Sequence, residues 1–309
     1  MNRVGGLRMV AFSLLCLAST TGCAAASMMT PAEAAVPKTA IEYDVSIGDS
    51  YAAGYQPVAA SSKGRDTHGF AYQVVGLART RGYRFTLRNF ACDGATSTSV
   101  LEQVGCPLSA PGPDAVSYPT RTQAAAADQF ISRHHGHIGM ITVSIGGNDL
   151  LGCTNATIFI SCVTNTIVGI EANLHTLLAG LRETAGPAVP IVGLTYPDVF
   201  LGLYTSKEPS QKNLALVSVE GFQRLFNPAL KTEYQAVGAR FVDVTKATGA
   251  YAPLTETTVR HTAHSGRIPI AVADICSLTY YCQLQDVHPT TRGYGLIAQL
   301  VVATLPRRR

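Results

Sequence analysis

This 309-residue chain has a serine, Ser50, at a predicted strand-to-helix turn, where its hydroxyl could act as a nucleophile. The alternating apolar run Tyr43–Gly48 predicts a strand, and the small residues after Ser50 suit the first turn of a closely packed helix. Ligands of open α/β sheets bind beyond the carboxyl ends of the strands, so a serine placed there can be a nucleophile. Taken by itself, a Gly-Asp-Ser motif more often marks a helix N-cap than a nucleophile.

Three further motifs supply the other groups that acyl transfer requires, which are a base and hydrogen-bond donors for an oxyanion. Gly94 follows the second predicted strand, where its N–H can point at a ligand. Asn148 follows a glycine pair after the third strand and presents a side-chain amide donor. His288 lies before Pro289 and the last predicted helix, where it can take the serine proton. Each motif is weak alone, but together they supply every group that ester hydrolysis needs.

In this order, the four motifs resemble the sequence blocks of the SGNH (GDSL-type) hydrolases, a family of esterases and lipases. The resemblance covers residues 43–305. It implies an α/β, three-layer flavodoxin-like fold with a central five-stranded parallel sheet and long disulfide-stapled loops. It further implies Ser50 as nucleophile and His288 as base, with an oxyanion hole formed by Ser50 N–H, Gly94 N–H and Asn148 Nδ2. The resemblance implies neither a metal nor an organic cofactor.

The second ring nitrogen of His288 needs an acceptor, and the sequence offers three. The family pattern has an aspartate three residues before the histidine, but Gln285 occupies that position and Asp286 lies only two residues before. The candidates are the Gln285 backbone carbonyl, the Gln285 side-chain oxygen and the Asp286 carboxylate. We favour the Gln285 carbonyl, because some members of this branch resemble a dyad with a main-chain acceptor. This interpretation predicts that Asp286→Ala retains most activity and that His288→Ala abolishes it.

Alternating strands and helices must position these motifs. The sequence predicts strands at Tyr43–Gly48, Arg84–Phe90, Ile138–Ile145, Val189–Leu194 and Arg240–Val244. It predicts helices at Phe70–Thr80, Thr122–His134, Ile158–Thr184, Leu214–Val237 and about Thr290–Thr304. This alternation indicates βαβ units and a parallel sheet covered on both faces. The irregular stretches are long enough to build a substrate pocket, and they comprise residues 55–69, 104–120, 197–212 and 249–288.

Apolar side chains in these loops fit either the lining of an acyl pocket or ordinary loop packing. They are Phe200, Leu201, Leu203, Tyr204, Tyr251, Leu278, Tyr280 and Tyr281. We therefore expect a serine esterase or lipase that acts on a small-molecule or lipid ester, with fatty-acyl esters favoured over acetylated sugars. The alternatives are a carbohydrate deacetylase or acyltransferase of the same family, and a ligand-binding lipoprotein without turnover.

The N-terminus predicts export. Residues 1–23 combine basic residues with a short apolar run, which is typical of a signal peptide, and residues 24–40 resemble a flexible tether before a hydrolase domain at 41–309. Cys23 resembles a lipobox cysteine, so the protein is expected to be either a lipoprotein tethered to the membrane there or a freely secreted protein. A signal-peptidase site at Ala24-Ala25-Ala26 or at Ala32-Glu33-Ala34 is the rival interpretation.

The cysteines agree with an oxidising compartment. Six of the eight lie after the leader and form three close pairs along the chain, which favours local disulfides over a metal site. The pairs are Cys92 with Cys106, Cys153 with Cys162, and Cys276 with Cys282. The motif Cys92–Thr96 also resembles the secreted actinobacterial branch of the family, which implies a bacterial, actinobacterial protein with three disulfides.

Composition narrows the class of protein further. An apolar fraction of 47% and a charged fraction of 14% describe a globular chain rather than a disordered one. The net charge of +4 is too small to indicate nucleic-acid binding. We expect a monomer with no nucleic-acid partner.

Overall fold

The computed structural model describes residues 41–57, 66–153, 159–258 and 266–308. The predicted signal peptide, the tether and Cys23 lie outside the described residues. None of the helices described is both long enough and apolar enough to cross a membrane.

Five parallel strands form the central sheet in the order β2-β1-β3-β4-β5. They are β1 (Glu42–Gly48), β2 (Phe85–Asn89), β3 (Ile138–Ser144), β4 (Ile191–Leu194) and β5 (Arg240–Val242). Val45 of β1 pairs with Arg88 of β2 on one side and with Ile141 of β3 on the other. β3 is buried along its whole length, as expected of a central strand in a sheet covered on both faces. The order 2-1-3-4-5 is that of a flavodoxin-like sheet, so the predicted fold class is confirmed.

Helices connect these strands and cover the sheet. They are α1 (Ser50–Ala53), α2 (Phe70–Ala78), α3 (Ser97–Glu102), α4 (Gln123–Arg133), α5 (Gly147–Leu151), α6 (Phe159–Ala185), α7 (Pro209–Gly221), α8 (Asn227–Ala236), α9 (Val244–Ala247), α10 (Ile270–Leu278), α11 (Tyr281–Leu284) and α12 (Thr291–Ala303). Helix α2 packs against α12, and α6 packs against both α4 and α8. Two 3₁₀ segments, Arg79–Arg81 and Val199–Thr205, extend the helical parts.

Several parts of the sequence prediction differ from the structure; the stretch 197–212, predicted to be irregular, contains the 3₁₀ segment Val199–Thr205 and the start of α7. The single helix predicted at Leu214–Val237 begins earlier, at Pro209, and is interrupted by a π-helical turn at Phe222–Phe226. The stretch 249–288, predicted to be irregular, contains helices α10 and α11 and a short antiparallel pair of strands, β6 (Thr257–Thr258) and β7 (Ile268–Pro269). Helix α10 escaped prediction because it is apolar on nearly all sides and therefore lacks an amphipathic period.

Three local disulfides staple the loops around the sheet, as the sequence predicted. They join Cys92 to Cys106, Cys153 to Cys162, and Cys276 to Cys282, with Cα atoms 5.8, 5.7 and 5.2 Å apart. These separations lie within the ordinary range for disulfides. The first bridge fixes the loop after β2, the second joins Cys153, just after α5, to α6, and the third joins α10 to α11. All three lie near the site described below.

Asp44 is a fully buried carboxyl group in β1. Neither of its carboxyl oxygens has a hydrogen-bond partner in the described part of the chain. Burial raises the pKa of Asp44 from 3.8 to about 8, because the interior does not stabilise the charged form as water does. Between these two values, the folded protein holds a proton that the unfolded chain releases. Folding stability therefore falls as the pH rises through this window.

We predict that Asp44→Asn removes this pH dependence. The wild-type free energy of unfolding should decline by up to about 1.4 kcal/mol per pH unit from this group alone, whereas the uncharged amide does not titrate. The variant should therefore gain stability relative to the wild type toward pH 8. Urea denaturation of both proteins at about pH 5 and about pH 8 measures the difference. A difference that stays the same at both pH values would contradict a protonated Asp44 in the folded state.

Candidate active site

Ser50 is the first residue of α1, directly beyond the carboxyl end of β1. Gly48 makes this turn possible: its φ is +150°, and a Cβ atom there would lie 2.1 Å from the carbonyl oxygen of Ser144 in β3. The buried Gln123 side chain accepts a hydrogen bond from Gly48 N–H at 2.7 Å and donates one to Gly48 O at 3.1 Å. Only glycine fits so close to β3, and so this contact fixes where β1 ends and where Ser50 lies relative to that end.

Asp49 braces the turn beside the serine. Its Oδ1 accepts a hydrogen bond from Tyr51 N–H at 3.0 Å, and its Oδ2 accepts one from the Tyr196 hydroxyl at 2.6 Å. Burial raises the pKa of Asp49 to about 7, and the bonds from Tyr196 and Tyr51 act in the opposite direction. The Tyr196 ring also lies against Gly147, where a Cβ atom would come within 2.9 Å of it. Tyr196 thus links the serine turn to the glycine pair before Asn148, a link that nothing in the sequence signalled.

His288 lies within hydrogen-bond distance of Ser50. Its Nε2 is 2.7 Å from Ser50 Oγ, and its Nδ1 is 2.7 Å from Asp286 Oδ1. When Nδ1 carries the ring proton and donates it to the carboxylate, Nε2 is free to accept the proton of the serine hydroxyl. Burial disfavours the ionised form of Asp286, but the hydrogen bonds and charge of His288 outweigh it and lower the pKa of Asp286. The three side chains therefore form one continuous hydrogen-bonded series.

The preference for the Gln285 carbonyl as acceptor is wrong. Gln285 is exposed, ends α11 in the left-handed conformation at φ 54°, and donates its N–H to Tyr281 O. After this left-handed residue, Asp286 Oδ1 accepts the His288 N–H at 2.9 Å, so the same oxygen closes a tight turn and faces the ring. An aspartate two residues before the histidine thus reaches Nδ1, and the expected spacing of three is not needed.

Two tyrosines and a backbone bond hold the histidine loop in place. The Tyr51 hydroxyl donates to Val287 O at 2.6 Å. The Tyr55 ring centroid lies 4.4 Å from that of the His288 ring, tilted by 54°. Tyr280 N–H donates to His288 O at 3.0 Å, which ties the loop to the segment that follows α10. The sequence did not indicate a role for Tyr51 or Tyr55, because their contacts with Val287 and His288 arise only in the tertiary structure.

Asn148 and Gly94 lie on neighbouring segments. Asn148, in α5, donates its Nδ2–H to Ala95 O at 2.9 Å, next to Gly94. The Asp149 carboxylate accepts hydrogen bonds from Ser97 N–H at 2.9 Å and from Ser97 Oγ at 2.6 Å, which joins the same two segments again. Gly94 has a φ of +80°, and apart from Gly94 and its two chain neighbours no described atom lies within 4 Å of a Cβ built there. The loops after β2 and β3 are therefore locked together, with the glycine open on one side.

A small apolar pocket lies beside the serine. Its volume is about 50 Å³, and it is lined by Ser50 and Asn148 together with Leu150, Phe200, Phe222 and Phe226 among others. Of the eight apolar loop residues for which the sequence left pocket lining and loop packing open, Phe200 is the only one on this surface in the described part of the chain. Leu201 and Leu278 are buried at 0% and 8% exposure, so packing is their role. Within the described residues, no three His, Cys, Asp or Glu side chains are grouped so that they could hold a metal ion.

Three solved structures are similar to this chain to differing degrees. A lipase from a goat rumen metagenome is 16% identical, with a TM-score of 0.52 over 86% of this chain and 99% of its own. An extracellular lipase from Streptomyces rimosus is 20% identical, with a TM-score of 0.44 over 85% and 98%. An acetyl xylan esterase from Geobacillus stearothermophilus is 14% identical, with a TM-score of 0.46 over 88% and 98%. At such identities the first similarity supports the fold alone, and the other two carry no further weight.

The family of the chain follows from its sequence rather than from these structures. No curated protein matches it. The profile of the GDSL-like lipase/acylhydrolase family, in contrast, matches residues 46–296. This range starts in β1, ends in α12 and includes all four motifs around the serine. The chain therefore belongs to the GDSL-like lipase/acylhydrolase family.

Proposed function

We propose that this protein is an exported serine esterase or lipase that hydrolyses carboxylic esters through an acyl-enzyme on Ser50. The observation that carries the proposal is the hydrogen-bonded series of Ser50, His288 and Asp286, with 2.7 Å at both links. A serine hydroxyl is a weak nucleophile until an adjacent base can take its proton, and that base needs a fixed tautomer. Membership of the hydrolase family supports the same chemistry.

The first step joins the Ser50 oxygen to the ester carbonyl carbon. As Ser50 Oγ attacks, its proton passes to His288 Nε2, and the imidazolium that forms keeps its Nδ1–H bond to Asp286. The lowered pKa of Asp286 keeps the carboxylate ionised at neutral pH, so its negative charge faces the positive ring. The carboxylate orients and stabilises the base without itself taking the proton.

The carbonyl oxygen becomes an oxyanion that needs donors already in place. We assign the Ser50 and Gly94 N–H groups and Asn148 Nδ2 to this role. An amide side chain carries two N–H donors, and Asn148 uses one of them on Ala95 O, so the other remains for the oxyanion. Collapse of this intermediate gives the proton of His288 to the departing alcohol. Water then attacks the acyl-enzyme by the same route and releases the acid.

Export is part of the same proposal. The three disulfides support an oxidising compartment outside the cytosol. Residues 1–23 are proposed as the signal peptide. Lipidation at Cys23, with a membrane tether, and free secretion are the two forms that the mature protein could take. We further propose that it acts as a monomer.

A fluorophosphonate probe tests the nucleophile directly. The wild-type protein should hydrolyse p-nitrophenyl esters and should carry the label on Ser50, because an activated serine attacks phosphorus as it attacks a carbonyl. Ser50→Ala should lose both the label and the hydrolysis. Intact-protein and peptide mass spectrometry locate the label. A folded wild-type protein that takes no label would instead favour ligand binding without turnover.

Asp286→Ala should lower kcat by about 10²- to 10⁴-fold, because the ring loses the partner that fixes its tautomer and stabilises its charge. His288→Ala should lower it at least as far. Gln285→Gly is the matched control, since it keeps the left-handed turn and removes only an exposed side chain. Its kcat should stay close to the wild-type value. If Asp286→Ala were as active as Gln285→Gly, the carboxylate would have no part in catalysis.

Asn148→Ala should lower kcat by about 10²- to 10³-fold with little change in KM, because its donor bond matters chiefly in the transition state. Steady-state kinetics on one p-nitrophenyl ester separate the two constants. A rise in KM with kcat preserved would assign Asn148 to substrate binding instead of the oxyanion hole.

A further inference from the structure

The segments at the amino ends of the five parallel strands are rich in arginine. They comprise residues 41–42, 79–84, 133–137, 182–190, 236–240 and 304–308. Together they contain eight arginines, no lysine and two acidic residues, Glu42 and Glu183. Their formal charge of +6 exceeds that of the whole chain, which is +4. The positive charge of the protein is therefore concentrated at this end of the sheet.

Backbone hydrogen bonds bring three of these segments together beside the first residues of β1. Arg84 O accepts the Glu42 N–H at 3.1 Å, and His137 O accepts the N–H of the next residue at 2.8 Å. From the C-terminal segment, Arg308 N–H donates to Arg81 O at 2.9 Å. The three segments thus form one surface around the start of β1.

The eight arginines differ in what their charges contact. Four of them donate hydrogen bonds to backbone carbonyls or to a carboxylate, and these are Arg81, Arg182, Arg240 and Arg308. The other four are exposed, and they are Arg79, Arg84, Arg133 and Arg307. Within the described part of the chain, no carboxylate pairs with any of these four. The surface that carries them, here called the basic face, therefore offers its charge to a partner outside the molecule.

The rest of the chain has the opposite net charge. Of the 24 basic and 20 acidic residues, 16 and 18 lie outside the arginine-rich segments, which leaves a net charge of −2. Three aspartates, Asp93, Asp149 and Asp286, neighbour the proposed oxyanion donors and the base at the carboxyl ends of the strands. An anionic surface would therefore attract the basic face and would not attract the end that contains Ser50.

The basic face lies where the proposed tether joins the domain. Ile41 directly precedes β1 and is 61% exposed, so residues 24–40 attach at the amino end of this strand. As a coil-like tether, these 17 residues would span about 20–25 Å on average. A lipid on Cys23 would therefore hold the domain close to a bilayer from the side of the basic face. This position favours a membrane surface over other polyanions as the partner.

We propose that the basic face binds the anionic headgroups of a phospholipid bilayer and holds the end with Ser50 away from it. This inference rests on the proposed export and is independent of the chemistry at Ser50. Each arginine close to an anionic bilayer strengthens binding by about fivefold, and guanidinium groups match phosphate oxygens in paired hydrogen bonds. In this orientation, the ester substrate reaches the serine from the surrounding medium and not from the bilayer under the domain.

Two fourfold variants remove the same charge from opposite ends of the domain. One replaces the four arginines of the basic face with glutamine. The matched control replaces four exposed basic residues from segments beyond the carboxyl ends of the strands with glutamine, and these are Arg121, Lys207, Lys212 and Lys246. The parent protein and both variants carry Cys23→Ser, so that no attached lipid contributes to binding.

Co-sedimentation with vesicles of equal parts phosphatidylglycerol and phosphatidylcholine measures the binding. The parent should bind, and the basic-face variant should bind at least about 100-fold more weakly, whereas the control should stay within about fivefold of the parent. Salt at about 1 M should release the parent, because the screening length falls to about 3 Å. If the fourfold variant did not fold, Arg79→Gln combined with Arg84→Gln should still weaken binding by about 25-fold.

Hydrolysis of p-nitrophenyl acetate by the vesicle-bound parent reports its orientation. The kcat/KM should stay within about twofold of that of the free protein, because a small soluble ester reaches a site that faces the medium by diffusion. Equal vesicle binding by the two fourfold variants, or a marked loss of kcat/KM on binding, would overturn the proposal. Binding to long-chain polyphosphate but not to vesicles would overturn it in favour of a soluble polyanion. A parent without hydrolysis would refute the proposed function, and the comparison of the two variants on vesicles would still decide about the basic face.

Discussion

The close contact between the ends of β1 and β3 is the constraint on which the site depends. Gly48 lies so near the Ser144 carbonyl that no side chain fits. The Gln123 side chain forms hydrogen bonds with both the N–H and the carbonyl oxygen of Gly48. β1 is the strand between β2 and β3, where the order of a flavodoxin-like sheet reverses and opens a crevice. The loops after all three strands meet at this point. Strand order therefore brings together a serine after β1, a glycine after β2 and an asparagine after β3, and the contact of Gly48 with β3 fixes the position of the serine.

Sheet topology does not place the histidine, which comes from the long segment before α12. That segment is tied down by contacts from several directions: the Cys276–Cys282 bridge, Tyr280 N–H on His288 O, and the Tyr51 hydroxyl on Val287 O. Tyr51 follows Ser50 directly, so the serine turn itself helps to hold the loop that carries His288. The geometry between Ser50 and His288 thus depends on both ends of the chain being correctly folded.

The sequence predicted the positions of the strands and of most long helices well, since β-branched runs and amphipathic helices leave strong periodic signals. All five strands, the three disulfides and the segments that meet around Ser50 were predictable. The acceptor for His288 was not, because it depends on a left-handed Gln285, and a non-glycine residue gives no signal for that conformation. Tyr196 and Asp49 meet across 147 residues of sequence, a contact that only tertiary structure creates. The lining of the apolar pocket was not predictable for the same reason, because apolar loop residues do not reveal which of them face a cavity.

A disulfide ties the segment that carries Asn148 to the long helix α6. Asn148 and Leu150 lie in α5 and line the apolar pocket beside Ser50, and Cys153, just after this helix, is 1% exposed. The Cys153–Cys162 bridge joins this segment to α6. Such a covalent link restricts how far α6 can move relative to Asn148 and to the wall of the pocket. The disulfide thereby connects the oxidising compartment in which the protein is proposed to act with the shape of the pocket beside Ser50.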